Sequence, residues 1–286
     1  MNTNALLNPI RQTEQYSALL SRLEELKSSG ERLPLLANGL CDGAESALIF
    51  SLVNDIKKMY GKCVLILVDE ERRANRLNDF FRKSGMRCEF YPVRDFNFYD
   101  MTASHELEYE RLRVLSGVLF NTVDVIISTP DASLQLTMPT SYLKDHTLRI
   151  NSDTALDISS LTKRLIDMGY TSCEMVESAG QFSVRGGIID IFPTNCDFKV
   201  NGEEKRENAP VRIELFGDEI DRMAIFDVMS QRMTEKIESF VITPSKEIIA
   251  SEEKLGEVRE EICQLLTFAQ NEDSIKELKR ELASID

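Results

Sequence analysis

The chain contains no tryptophan and only two histidines, His105 and His146. That leaves too few imidazoles for a histidine-built metal site and two candidates for a histidine general base, both expected to be structural or exposed. Net positive charge is also lacking: 34 Lys and Arg stand against 48 Asp and Glu, giving −14. This balance argues against a broad duplex-binding surface, which is built from many contacts to phosphate, and for a protein partner with little direct DNA binding. The six cysteines, at 41, 63, 88, 173, 196 and 263, include no C-x-x-C pair, so zinc and redox motifs are missing and reduced, mostly buried thiols are expected. No apolar run approaches the roughly 18 residues of a membrane span, and no basic, apolar and small-residue succession marks an export leader, so a cytoplasmic location is expected.

What is present is globular. With 286 residues, 42% of them apolar and 29% charged, the chain has material for two ordinary domains, each with its own core. The spacing predicts a helix over residues 12–28, with Tyr16, Leu19, Leu20, Leu23 and Leu26 on one face and Gly30 after its end. Leu35, Leu36 and Ala37 read as a short strand leading through a glycine loop into a helix with Ala44, Ala47, Leu48, Leu52 and Ile56 inward. CVLILV (63–68) reads as a fully buried strand, a helix with Ala74, Leu77, Phe80 and Phe81 inward ends at Ser84-Gly85, and MRCEFY makes the next strand, followed by a loop rich in Phe, Tyr and Asp (92–104). A helix with Leu107, Leu112, Leu115 and Leu119 and the buried strand VDVIIS complete a β-α-β-α-β-α-β order, which implies a parallel sheet with helices on both faces.

The glycine loop is where a nucleotide enzyme would declare itself. A phosphate-binding loop needs G-x-x-x-x-G-K-[ST], because the Lys neutralises phosphates and the hydroxyl holds magnesium. Counted back from Gly43, the first glycine position holds Asn38, with Gly39 beside it, while Ala44 and Glu45 occupy the Lys and hydroxyl positions. A carboxylate there repels phosphate, so no nucleotide or other cofactor is expected. LILVDEE (65–71) is better read as a strand followed by a helix start than as an acidic metal-binding strand end. Asp218, Glu219 and Asp221 lie in a tight turn, where acidic residues are ordinary turn chemistry, and no catalytic residue is assigned.

Composition turns polar around Pro139 to Asp153, and a second unit is expected to start with a helix from Asp157 to Met168, closed by Gly169. Then come four β-rich runs, FSVR, GIIDIF, VRIELF and EIDRMAIF, separated by a Gly pair, a polar loop and a Gly-Asp turn: an antiparallel meander. Ile188 to Phe192 is apolar at nearly every position, so one strand has apolar groups on both faces. Either a helix covers its second face, or that face is a patch for a partner rimmed by Arg185 and Arg212. The meander ends near Pro244, after which the chain is helical and charged. The partition expected is 1–139, 140–245 and 246–286, an α/β lobe, a smaller α+β domain and the start of a helical segment.

VRGGIIDIFP, VRIELFGDEIDRMAIFD and the following SQR resemble the segment shared by bacterial transcription-repair coupling factors (Mfd) and the excision-repair protein UvrB. CVLILVDEERRANRLNDFF, YPVRDFNFYD, ERLRVLSGVLF and VDVIISTPDASLQ resemble the first, helicase-like lobe of the same module, and the degenerate glycine loop favours the coupling factor. That resemblance implies a catalytically silent UvrB-like recruiting module whose middle domain docks UvrA. RNA polymerase binding and ATP- and magnesium-dependent translocation on DNA are implied for other parts of a longer parent, and the last residues are expected to return to the first lobe. It places the docking surface on Arg185, Ile189 and Phe192. A basic position that often follows the Gly-Tyr pair is replaced by Thr171 and Ser172.

Arg185 suits such a surface, since a guanidinium pairs bidentately with a carboxylate while its stem covers apolar groups. Its bland alternative is an internal pair with Glu177 or Asp190, and Arg212, on the polar strand face, is better read as a solvated cross-strand partner. Two rival functions remain: an active ATP-dependent repair subunit of the UvrB kind, opposed by Ala44 and Glu45, and an unrelated doubly wound enzyme acting on a small molecule at the strand ends, opposed by the meander.

Overall fold

The computed structural model describes residues 9–40, 44–94, 105–195, 197–206, 208–248, 252–269 and 271–285. Cys41, Gly43, Cys196 and most of the aromatic stretch, 95–104, lie outside the described residues. No helix among the described residues is long and apolar enough to cross a membrane.

Helix α1 (Glu14–Ser29) starts where the Thr13 hydroxyl accepts the Tyr16 N–H, and it stops at Gly30, whose φ of 74° is a left-handed cap. It lies on α2 (Ala44–Tyr60), the Tyr16 hydroxyl donating to Asp55 at 2.6 Å. Three strands, β1 (Val64–Leu67), β2 (Cys88–Tyr91) and β3 (Val125–Ser128), form an all-parallel sheet in the order β1-β3-β2. Side chains alternate across it. Val125 and Ile127 join Phe50 and Val53 of α2 and Ala74, Leu77 and Phe81 of α3 (Glu71–Lys83) on one face. Ile126 and Tyr91 join Val114 of α4 (Glu106–Leu119) and Ala132 of α5 (Pro130–Leu134) on the other. Helices therefore cover both faces. A short helix, α6 (Thr140–Asp145), closes the lobe by burying Leu143 against Leu112 and Met138.

Two expectations for this lobe are corrected. Residues 31–40 form no regular structure, and Leu36 is 87% exposed, so no strand stands at 35–37. CVLILV is not fully buried, because β1 is an edge strand: Val64 and Ile66 join the cluster with α2 and α3, whereas Leu65 (53% exposed) and Leu67 (50%) are outside the opposite cluster, in which α4 and α5 pack on Tyr91 of β2 and Ile126 of β3.

The second domain joins two sheets and one helix around a single core. Helix α7 (Ile158–Asp167) is capped by the Asp157 carboxylate, which accepts the Ser159 and Ser160 N–H groups. Strands β6 (Gln181–Arg185), β7 (Ile188–Phe192), β10 (Val211–Phe216), β11 (Glu219–Phe226) and β12 (Met233–Lys236) form the expected antiparallel meander, and the two-residue β5 (Thr171–Ser172) adds to β6 in parallel. The polar loop between β7 and β10 is instead a hairpin, β8 (Asp197–Val200) and β9 (Glu203–Arg206), and the polar stretch around 139–153 holds β4 (Leu148–Asn151). With β13 (Ser239–Ile242) these make a second sheet in the order β4-β13-β8-β9. Phe198, Val200, Phe240 and Ile242 from that sheet meet Ile189, Ile191, Val211 and Ile213 from the meander, with Leu161 and Leu165 of α7. Beyond it, α8 (Glu252–Phe268) and α9 (Glu272–Ile285) pack chiefly on each other.

The two domains are locked by one acid. Glu247, just past β13, has a fully buried side chain and receives both arms of the equally buried Arg111 on α4, Nε at 2.7 Å and Nη2 at 3.0 Å. Arg94 (2.9 Å) and the Thr137 hydroxyl (2.6 Å) complete its shell, while the Glu247 N–H donates to Glu108 at 2.7 Å. Arg111 is itself satisfied by the Pro92 carbonyl at 2.8 Å and stacks on Tyr91. Close by, the Tyr109 hydroxyl donates to the Ala179 carbonyl, and a Cβ on Gly180, whose φ is +82°, would sit 2.6 Å from that hydroxyl oxygen. Only glycine meets both conditions there.

Burial alone pushes the Glu247 carboxyl up, but hydrogen bonds from Arg111 and Thr137 with the charges of Arg111 and Arg94 outweigh it and hold the group below its ordinary value. A depressed folded value means that the interaction stabilises the fold fully above the unfolded value and is lost as pH falls through the folded one. Below pH ~5 the wild type is therefore expected to lose stability more steeply than Glu247→Gln. Glu247→Ala strands two buried guanidiniums and is expected to cost about 3–5 kcal/mol in urea unfolding at neutral pH; a loss under about 1 kcal/mol would show the lock to be dispensable.

Candidate protein-docking site

The meander presents its inner face to the core and its outer face to two loops. On the outer face, register sets Asp190 of β7 between Ser183 of β6 and Arg212 of β10. Asp190 is fully buried although it sits in an otherwise apolar strand, because two arginines converge on it. Arg212 is bidentate, Nε to Oδ1 at 2.6 Å and Nη2 to Oδ2 at 2.8 Å, and Arg185 adds Nη2 to Oδ2 at 2.5 Å. These bonds raise the Arg212 guanidinium above its usual value, with burial opposing.

Gln231 finishes the constellation. Held at φ 57° in a turn where the Asp227 carboxylate accepts the Ser230 N–H at 2.7 Å, it takes Arg212 Nη1 on its carbonyl (2.9 Å) and Nη2 on its side-chain oxygen (3.0 Å). Hydrogen bonds from the Ser230 side chain and then from its N–H lower the Asp227 carboxyl. Arg212 also stacks on Phe226, 4.7 Å from the ring centre, and only 13% of its side chain is exposed. Arg185 is different: 46% of its side chain is exposed. One carboxylate thus carries two cations, Arg212 spent internally and Arg185 pinned at the rim with donors to spare. Half-buried Ile188 is its cross-strand neighbour, and Phe216, 83% exposed, ends β10 beyond Glu214, the partner of Ile188 on the other side.

The site residues expected from sequence divide accordingly. Arg185 lies at the surface, and it also makes the internal pair with Asp190 offered as its alternative. Ile189 is corrected: it points to the inner face, is 1% exposed and belongs to the core, out of reach of any partner. Phe192 is half-buried on the outer face beside Gln181, at the far end of β7 from Arg185. Arg212 is not a solvated strand partner but the buried half of the ion pair. Thr171 is exposed on the edge strand β5, without charge. Reasoning from sequence named Asp190 as a partner of Arg185 alone and missed its pairing with Arg212 and the part played by Gln231, whose signals were a lone acid inside IIDIF and the SQR that follows the meander.

The surplus apolar face of β7 is neither covered by a helix nor open. Its outer side is roofed by loops: the Ser183 hydroxyl donates to the Glu174 carbonyl at 2.9 Å on one flank, and Gln231 closes the other.

In the first lobe, Asn38 and Gly39 lie in the exposed 31–40 segment. Ala44 opens α2, and Glu45 in its first turn forms an ion pair with Arg73 of α3, which also binds Asp69 at 3.0 Å and holds that carboxyl below its usual range. Among the described residues no group of three or more His, Cys, Asp or Glu is placed to hold a metal. Of the described cysteines only Cys88 is buried, which pushes its thiol up to about 12; Cys63 and Cys173 are half-buried, and Cys263 is exposed.

Comparison with known proteins finds similarity along most of the chain. The family described as UvrB interaction domain matches residues 148–248, a span that begins at β4 and ends just past Glu247. The transcription-repair-coupling factor of Bacillus subtilis is 28% identical over 254 residues, covering 88% of this chain and 20% of that protein. Its counterpart from Staphylococcus haemolyticus is 30% identical over 247 residues, 84% of this chain and 20% of that protein. One from Staphylococcus aureus is 35% identical over 175 residues, 60% of this chain. The chain thus spans about a fifth of the length of the first two relatives. A UvrB interaction domain set within a similarity that runs through both domains means that the chain belongs with the UvrB-like modules of transcription-repair-coupling factors.

Proposed function

We propose that this chain is a non-catalytic recruiting module, that its second domain docks the excision-repair subunit UvrA, and that the outer face around Arg185 is the contact. What carries the reading is the half-exposed Arg185, preorganised by a buried carboxylate whose needs Arg212 already meets. A partner acid meeting that guanidinium forms a charge-assisted hydrogen bond with a side chain that has little freedom left to lose. Ile188 and the exposed Phe216 supply apolar area beside it, the combination of arginine and apolar anchor common at interface centres. In the parent protein, contacts with RNA polymerase and ATP-driven movement on DNA belong to other parts of the chain.

Arg185 and Arg212 separate docking from folding. Arg185→Ala leaves Asp190 with its bidentate partner, so unfolding should change by about 1 kcal/mol or less, while UvrA affinity falls roughly 30-fold, about 2 kcal/mol. Arg212→Ala removes the stronger partner of a fully buried acid and is expected to cost about 2–4 kcal/mol of stability. Measuring UvrA binding and thermal unfolding on the same preparations decides it: unchanged binding by Arg185→Ala would remove this face as the contact.

The nucleotide reading is tested separately. The anion that a helix N-terminus favours is here Glu45, already paired with Arg73, so an incoming phosphate meets a negative charge. Titration with ATP is expected to show no magnesium-dependent saturable binding, and incubation no hydrolysis. A magnesium-dependent Kd below about 100 μM, near −5.5 kcal/mol, would restore the active-enzyme reading.

A further inference from the structure

Between the two domains lies a cleft of about 510 Å³, within the range of roughly 300–1,000 Å³ usual for small-ligand sites. Arg82 and Arg87 line it from the first lobe, and Arg149, Lys199 and Lys205 from the sheet β4-β13-β8-β9. This sheet lies across the core from the Arg185 face. Five cations against Glu89 and Asp197 are a local excess of +3 in a chain of net charge −14.

Most of these charges are already answered. Arg87 is held by Asp124 at 2.5 Å, Lys199 by Glu238 at 3.6 Å and Lys205 by Glu235 at 2.7 Å. Glu89, the acid on the lobe side, is countered by Arg113 at 3.6 Å. Arg82 and Arg149 form no ion pair with any described carboxylate, and both are exposed. They line one cleft, Arg82 from the first lobe and Arg149 from the second domain. Beside them Phe120, 38% exposed, and Met86 offer an apolar surface.

Two guanidinium forks with unused donors suit an oxyanion with several acceptors, and an accessible ring next to them suits a planar apolar group. We propose that this cleft binds a phosphate ester of nucleotide size, its phosphate held by Arg82 and Arg149 and its base against Phe120. A free nucleotide and the phosphorylated end of a single strand carry the same chemistry. Unlike a phosphate-binding loop, the site needs no magnesium, because arginines supply the positive charge.

Isothermal titration of the full 286-residue chain, in low salt without magnesium, tests this with inorganic pyrophosphate, AMP and a 5′-phosphorylated thymidine tetranucleotide. Saturable binding of pyrophosphate is expected, weakened about tenfold or more in Arg82→Glu/Arg149→Glu and weakened as salt rises. Thermal unfolding of that variant without ligand should match the wild type, since both side chains are exposed. Phe120→Ala should weaken AMP or the tetranucleotide and spare pyrophosphate; whichever of the two binds more tightly identifies the source. Absence of saturable heat, equal binding by the double variant, or displacement of pyrophosphate by a tetraglutamate peptide at equal concentration would overturn the proposal.

Discussion

The arrangement of the two domains depends on a single buried carboxylate. Glu247 is the last residue but one of the matched domain, yet its side chain is satisfied by Arg94, Arg111 and Thr137 of the first lobe. Removing an acid and two arginines from water is expensive, and their mutual attraction offsets that only when nearly every donor is used. Arg111 meets this condition through Glu247, the Pro92 carbonyl and the Tyr91 ring. Such a lock adds little net stability compared with an apolar contact, but it tolerates only one geometry. An apolar seam slides; a bidentate pair does not.

A similar solution recurs in the meander, with a different outcome. Asp190 is as buried as Glu247 and also serves two arginines, but one of them, Arg185, reaches the rim. Register explains the division. Arg212 is directly opposite Asp190 and is walled in by Gln231 and Phe226, whereas Arg185 pairs with Ile188, one step nearer the end of the sheet. A cation on an antiparallel sheet, braced by a buried acid, keeps its orientation better than one on a mobile loop.

Much of this architecture was legible in the sequence, for identifiable reasons. Period-two and period-three-to-four apolar patterns report burial on one face, and they gave β2, β3, α3, α7 and the four long meander strands. They misled at CVLILV, because a run apolar on both faces says that burial is possible and not that a helix reaches that far. Strands β4, β8 and β9 were hidden by their composition: LRIN, DFKV and EEKR carry charge at half or more of their positions or lie beside polar turns, and only the second sheet makes sense of them. The same limit applies to Ile189, where an apolar strand with two good faces gave no sign of which one looks inward. The Glu247–Arg111 pair spans 136 residues and leaves no local pattern at all.

Charge placement ties these observations together. An acidic chain repels anionic partners at long range, but screening confines that effect to about 8–10 Å at ordinary salt. Inside that distance the fixed geometry of individual cations decides. At α2 the first-turn Glu45 and Arg73 of α3 pair with each other within the lobe. At β6 the opposite was built: a cation was added beyond what the buried acid requires, and it points outward. The proposed recruiting role rests on the second of these, a cation braced by a buried acid and still half-exposed at the rim.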